Sequence, residues 1–238
     1  MQKMNKAIVS FSGGQDSTTC LFWALEHFDC VETIGFDYGQ KNRVELQCRR
    51  RILGELEQSF PQWAKKYAGD LVIDVRSFGQ IAQSALTGDG RSMNETGDNG
   101  LPASFVPGRN LMFLTYAAAR AYIRGADTLV AGVGQTDFSG YPDCRRDTLD
   151  ALEKALTLGM DHAFKIETPL MYRSKAQTWA LAEEIGGKAL VDFIVKNTHT
   201  CYEGDHEHWH DWGYGCGQCP ACRLRAKGWE EYCQSNRP

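Results

Sequence analysis

Ala7-Ile8-Val9-Ser10-Phe11-Ser12-Gly13-Gly14-Gln15-Asp16-Ser17 is the stretch from which the rest of the chain is read. A short β-branched run enters a glycine pair flanked by hydroxyls and one carboxylate, and a helix-like segment follows at once. This order predicts a strand, a sharp turn and a helix. Gly13 and Gly14 lack side chains, so the backbone there can turn tightly and come close to a phosphate. The amides of such a turn, with the positive end of the helix, form an anion cradle. Ser12 and Ser17 add hydroxyl donors, and Asp16 is placed to hold a magnesium ion through bound phosphates. A Walker loop needs a lysine beside its last hydroxyl residue, and none stands here.

Outward from this loop, apolar runs alternate with helical patterns. Strands are expected at Ala7–Phe11, Val31–Phe36, Leu71–Val75, Thr128–Val133 and Phe164–Thr168, and helices near Asp16–His27, Val44–Leu56, Asn110–Arg124 and Asp147–Leu158. Another helix begins at Ser174, where Ser174-Lys175-Ala176-Gln177 has the form of a capping box. Such alternation predicts an α/β fold, a doubly wound parallel sheet with helices on both faces. Ligands of these sheets bind beyond the carboxyl ends of the strands. Two stretches break the pattern. Gln58–Asp70 reads as an elongated surface connection, and the Gly-, Asn- and Thr-rich Ser84–Ser104 as either a lid or a solvated loop.

Cys216-Gly217-Gln218-Cys219-Pro220-Ala221-Cys222, with Cys201 upstream, supplies four thiols at spacings suited to one structural, tetrahedral zinc ion. An iron–sulfur cluster takes the same ligands, although nothing else in the chain points to electron transfer. A disulfide framework is not expected, because Met1–Lys6 is polar, runs straight into the first strand and shows no secretory signal. The 238 residues are 42% hydrophobic and carry a net charge of −4. With a pI near 5.9, the chain has no broad basic face for nucleic acid. No apolar run approaches the ~20 residues of a membrane span. A cytoplasmic enzyme with reduced thiols is expected, divided into an α/β body over 1–195 and a zinc region over 196–238.

Residues suited to a site cluster at the expected carboxyl ends. Phe36 or Tyr38 can cover a purine or simply fill the core. Arg109 opens a helix, where the dipole opposes a cation and so suggests either a bound anion or a surface salt bridge, and Lys175, at the start of the helix that begins at Ser174, suits a phosphate or is a solvated helix residue. Gly132–Arg145 gathers two carboxylates, a thiol and a guanidinium. Asp137 or Asp143 can pair with the amidine edge of a guanine-like base, and Arg145 can grip a carboxylate or phosphate. Cys144 has no histidine near it in sequence and reads as a packed or substrate-lining thiol rather than a nucleophile.

Ser12–Ser17 resembles the pyrophosphate loop of the N-type ATP pyrophosphatases. Together with Phe36–Gln40, Phe105–Asn110, Thr136–Arg145, Glu167–Leu170, Lys175 and the four late cysteines, it makes the chain similar to the 7-cyano-7-deazaguanine synthase (QueC) family over about Lys6–Tyr232. The resemblance implies an adenine nucleotide alpha-hydrolase-like fold, a homodimer, and conversion of 7-carboxy-7-deazaguanine, ammonia and ATP with magnesium into 7-cyano-7-deazaguanine. It implies action on the free base, without direct nucleic-acid binding. By the same resemblance the nucleotide segment is Phe11, Ser12, Gly13, Gly14, Gln15, Asp16, Ser17, Thr18, Thr19, Cys20 and Leu21. Cys201, Cys216, Cys219 and Cys222 would be the zinc ligands. Gly13, Gly14 and Ser17 would then meet the β and γ phosphates, and Asp16 the magnesium. Arg109, Lys175 and Arg145 would face phosphate charge or the substrate carboxylate, and Asp137 and Asp143 the base. The chain departs from the pattern at Asn42, where histidine is common, and at Gln177, where glutamate is frequent. Its Tyr202–Gly215 loop is longer than usual, and the three histidines in it, His206, His208 and His210, are expected to be exposed.

Overall fold

In a computed structural model of the chain, residues 4–97, 100–135 and 140–235 are described. Strand β1 (Lys6–Ser10) leads through the glycine turn into helix α1 (Gln15–His27), followed by β2 (Cys30–Asp37), α2 (Val44–Ser59), the single turn α3 (Pro61–Ala64) and β3 (Tyr67–Asp74). A short α4 (Arg76–Ile81) and a long excursion precede α5 (Arg109–Arg124), β4 (Thr128–Ala131), α6 (Arg146–Met160), β5 (Lys165–Glu167) and α7 (Lys175–Asn197). A two-stranded ribbon, β6 (Trp209–His210) and β7 (Gly213–Tyr214), and helix α8 (Pro220–Ser235) follow.

The five main strands are all parallel, in the order β3-β2-β1-β4-β5. Chain direction across the sheet therefore reverses at β1, with β2 on one side and β4 on the other, and the glycine turn leaves β1 at that switch point. The period of two along β1 shows why two helical layers form. Ala7 and Val9 enter one core, with Leu21, Phe22, Ile52, Leu190 and Ile194. Ile8 enters the other, with Leu114, Ala117, Ala121, Leu149 and Leu156. β1 is buried from both faces, as a central parallel strand must be. The capping box opening α7 forms as expected: the Ser174 side chain accepts from the Gln177 amide, and the Gln177 side chain accepts from the Ser174 amide.

Gln58–Asp70 is not a surface connection. Phe60 and Trp63 are buried in an aromatic cluster with Phe22 and Phe193, with ring centroids 4.9–5.9 Å apart. β3 already starts at Tyr67. Gln58, Ser59, Gln62, Lys65 and Lys66 around those rings carry the hydrophilic signal, whereas the two rings decide the packing. The described part of Ser84–Ser104 is likewise anchored, with Ser84, Ala85, Leu86, Met93, Ala103 and Ser104 buried. His208 is exposed as expected, but His206 and His210 are half-buried. His206 packs 4.1 Å from the Tyr214 ring and shares a hydrogen bond with His199, while His210 stacks on Trp212 and reaches the Gly215 carbonyl at 2.8 Å. Among the described residues, no helix is long and apolar enough to cross a membrane.

Candidate functional site

A cavity of about 270 Å³ opens at the carboxyl ends of β1 and β4. Its floor is the turn itself. Ser17 Oγ braces that turn: the amides of Ser12 and Gly13 both donate to it at 3.2 Å, and it lies 3.0 Å from Ser12 Oγ. Gly13 has φ +96°, and a Cβ there would stand 2.5 Å from the Glu45 carbonyl oxygen. The turn is therefore pressed against the start of α2 and accepts only glycine.

Four residues of the cavity wall carry buried polar atoms with no hydrogen-bond partner among the described residues: Asp16 at Oδ1, Gln15 at both amide atoms, Asn42 at Oδ1 and Arg109 at Nε. Buried polar groups are ordinarily satisfied, so such a cluster suits a polar ligand. The other oxygen of Asp16 is paired with the Lys175 ammonium at 2.5 Å, and Lys175 is buried. This pair offsets the cost of placing a lysine at the N-terminus of α7. Arg109 Nη1 donates to the Tyr38 hydroxyl at 3.3 Å, and its guanidinium lies within 6.0 Å of the Tyr38 and Tyr141 rings. Phe36 and Tyr38 fill the core against Phe113, as one of the two sequence readings has it, and also face the cavity.

Phe11, Ser12, Gly14, Gln15, Asp16, Ser17, Arg109 and Lys175 thus meet at one cavity. Thr18, Thr19, Cys20 and Leu21 lie behind it. Thr18 Oγ1 donates to the Gly14 carbonyl at 2.7 Å and Thr19 Oγ1 to Gln15, while Cys20 and Leu21 are wholly buried. Asp143 is buried and accepts from the Asn110 amide at 3.0 Å, capping α5 where Gly108 has no side chain to do so. Arg145 is exposed at the start of α6. Neither Asp143 nor Arg145 lines the cavity. Asp137 lies outside the described residues.

Two groups escape the sequence reading. Arg49, fully buried, donates from Nε to the Phe11 carbonyl at 2.8 Å and forms a two-pronged pair with Asp70. It fixes the residue from which the turn departs. Glu45 lines the cavity, and burial pushes its carboxyl up to about 8, with Arg109 acting in the opposite direction. Both stand in a helix of ordinary amphipathic appearance, and only the partners brought in by folding mark them out.

Cys201, Cys216, Cys219 and Cys222 converge, with their sulfurs all within 4.8 Å of one another, and can hold a metal ion. Four sulfurs about 2.3 Å from a tetrahedral ion stand about 3.8 Å apart. The Cys216–Cys222 and Cys201–Cys219 separations are 3.9 and 4.0 Å. The three loop histidines stand outside this group. Thr200, Tyr202, Ala221 and Leu224, interleaved with the cysteines, line the cavity. The cysteine cluster therefore shapes one of its walls.

Residues 6–233 match the family model described as "Queuosine biosynthesis protein QueC". A 7-cyano-7-deazaguanine synthase of Caulobacter vibrioides is 59% identical over 231 residues, 97% of this chain and 95% of that protein. One from Polaromonas naphthalenivorans is 58% identical over 229 residues, 96% and 95% of the two. Among solved structures, a 4-thiouridine synthetase in complex with RNA and ATP superposes with a TM-score of 0.52 at 16% identity. That match covers 96% of this chain and 53% of the other, and it speaks to the fold alone.

Proposed function

Because the chain belongs to the family of the queuosine biosynthesis protein QueC, we propose that it activates the carboxylate of 7-carboxy-7-deazaguanine with ATP and converts it, with ammonia, into 7-cyano-7-deazaguanine. AMP and diphosphate are the released products. A carboxylate is a poor electrophile, and its oxygens are poor leaving groups. Transfer of AMP onto one oxygen makes it a leaving group that ammonia displaces to give the amide. The amide oxygen is removed in the same way, leaving the nitrile. One AMP and one diphosphate therefore leave per oxygen lost, which makes the enzyme a carbon–nitrogen ligase.

The observation that carries this reading is the set of unpartnered buried groups on Gln15, Asp16 and Arg109, all at the glycine turn's cavity. A triphosphate laid on that turn would meet the backbone amides and Ser17, with Lys175 and Arg109 supplying positive charge where negative charge grows. The free oxygen of Asp16 fits a magnesium ion, which would supply charge neutralisation on the phosphates. The four sulfurs fit one zinc ion per chain, a closed and therefore structural site. Asp137, Asp143 and Arg145 remain proposed contacts for the base and its carboxylate. In this reading residues 1–195 form the catalytic body and 196–238 the zinc region. The enzyme works in the cytoplasm as a homodimer on the free base, with no nucleic acid required.

The test is turnover of 7-carboxy-7-deazaguanine with ATP and ammonium, with and without tRNA. Nitrile should appear in both mixtures, with the amide accumulating when ATP is limiting. Asp16→Asn should lower the rate by about 100-fold or more, since a charge aligned for phosphoryl chemistry is lost. Release of ADP and phosphate instead would mean cleavage at the other phosphoanhydride bond and would overturn the reading.

A further inference from the structure

Resting on the carboxylate activation proposed above, the geometry points to Glu45 as the catalytic residue that takes the proton from the incoming ammonium. The nucleophile must reach an acyl carbon bonded through oxygen to the α-phosphorus, so its proton acceptor must lie against the phosphate-holding turn. Glu45 does. It is the second residue of α2, and its Oε1 stands 2.9 Å from where a Cβ on Gly14 would be. Among the described residues lining the cavity, Asp16 and Glu45 are the only carboxylates, and Asp16 is already paired with Lys175.

Its basicity suits the task. A carboxylate of ordinary strength is too weak a base to accept a proton from ammonium, whereas one held near 8 by burial is strong enough. The charged and titratable groups facing it are Arg109 from α5, Asp16 from α1, Tyr38 beyond β2, and Cys48 one turn along its own helix. Arg109 and a hydrogen bond from Asn42 pull the value down, while Asp16 adds to the effect of burial. In the step, one N–H bond of ammonium breaks and its proton passes to a Glu45 oxygen. The freed electron pair forms the C–N bond to the acyl carbon. A second proton passes from nitrogen to the phosphate oxygen of the departing AMP as the C–O bond breaks. The amide, the AMP monoanion and neutral Glu45 remain, and Glu45 returns its proton to water before the next cycle.

The experiment compares wild type with Glu45→Gln in three assays: carboxylate-dependent exchange of labelled diphosphate into ATP, amide formation with ammonium, and hydroxamate formation with hydroxylamine. Hydroxylamine is already neutral at neutral pH and needs no base to free its lone pair. The variant should keep exchange and the hydroxylamine reaction within about threefold while losing about 100-fold or more in the ammonium reaction. The acidic limb of the ammonium pH profile should disappear with it. Ammonium-dependent rates within about threefold of wild type would overturn the role of Glu45. So would parallel loss of all three reactions, which marks a merely structural residue. Absence of exchange in the wild type would instead overturn the substrate reading, and this inference with it.

Discussion

The turn side of the cavity and the cysteine side each hang on one buried arginine, Arg49 and Arg225, and the two charges are neutralised differently. Arg49 meets a formal anion, Asp70, and its remaining bonds go to the carbonyls of Phe11 and Leu71 in the sheet. Arg225 forms no ion pair with a carboxylate among the described residues. It donates to the carbonyls of Trp212 and Ile194 and to the Thr200 hydroxyl, and its guanidinium lies 5.3 Å from the Trp179 ring. Burial pulls it down to about 10, with Asp16 and the Cys222 sulfur opposing that effect. One wall is thus ordered by a parallel sheet, with an ion pair at its margin. The other is irregular backbone, whose arginine is held by two carbonyls, a hydroxyl and a ring. A regular wall should survive the loss of its neighbour, whereas an irregular one depends on its cross-link.

Breaking the sulfur side should give the largest effect. Cys219→Ser should lose the metal and raise amide exchange across 199–224 by about 100-fold or more, while β1 and β4 amides stay within about threefold. Exchange rising uniformly over the chain would mean that the walls are not separable. Next comes the turn side. Arg49→Met leaves Asp70 unpaired, and Asp70 is 28% exposed, so the loss read from denaturant midpoints should be about 2–4 kcal/mol. The double variant with Asp70→Leu should recover most of it. A single variant as stable as wild type would remove Arg49 from the account.

The smallest effect comes from Glu45, between the walls. Its folded value near 8 lies above the ordinary 4.5. The native state therefore holds a proton that the unfolded chain gives up, and this contribution is complete below about 4.5 and lost as pH rises through 8. Glu45→Gln should accordingly match wild type near pH 4.5 and be the more stable of the two above pH 8. Equal pH dependence in the two proteins would show that the carboxyl is not held up.

The turn and the sheet were legible because their causes are local. Two glycines, a β-branched run of period two and a capping box act within a few residues of themselves. Strand ends also told correctly where a cavity would open. Phe60 and Trp63 were misplaced because their partners, Phe22 and Phe193, are far away in sequence. Arg49 and Glu45 went unnoticed for the same reason: charge on a helix reads as solvent exposure until folding sets another element against it. Asp143 and Arg145 show the reverse case, in which residues suited by type to a ligand lie outside the cavity, one of them engaged in capping a helix.

The cysteine-side wall also sets the order in which the enzyme can come into being. Phe11 and the turn leave the ribosome early, yet Lys175, Thr200 and Leu224, which complete the cavity around it, are made far later. At ordinary synthesis rates the gap from the turn to Leu224 is on the order of 10–40 s. For that interval a nascent chain can fold its first strands and carry the turn while having no enclosed place to hold a nucleotide.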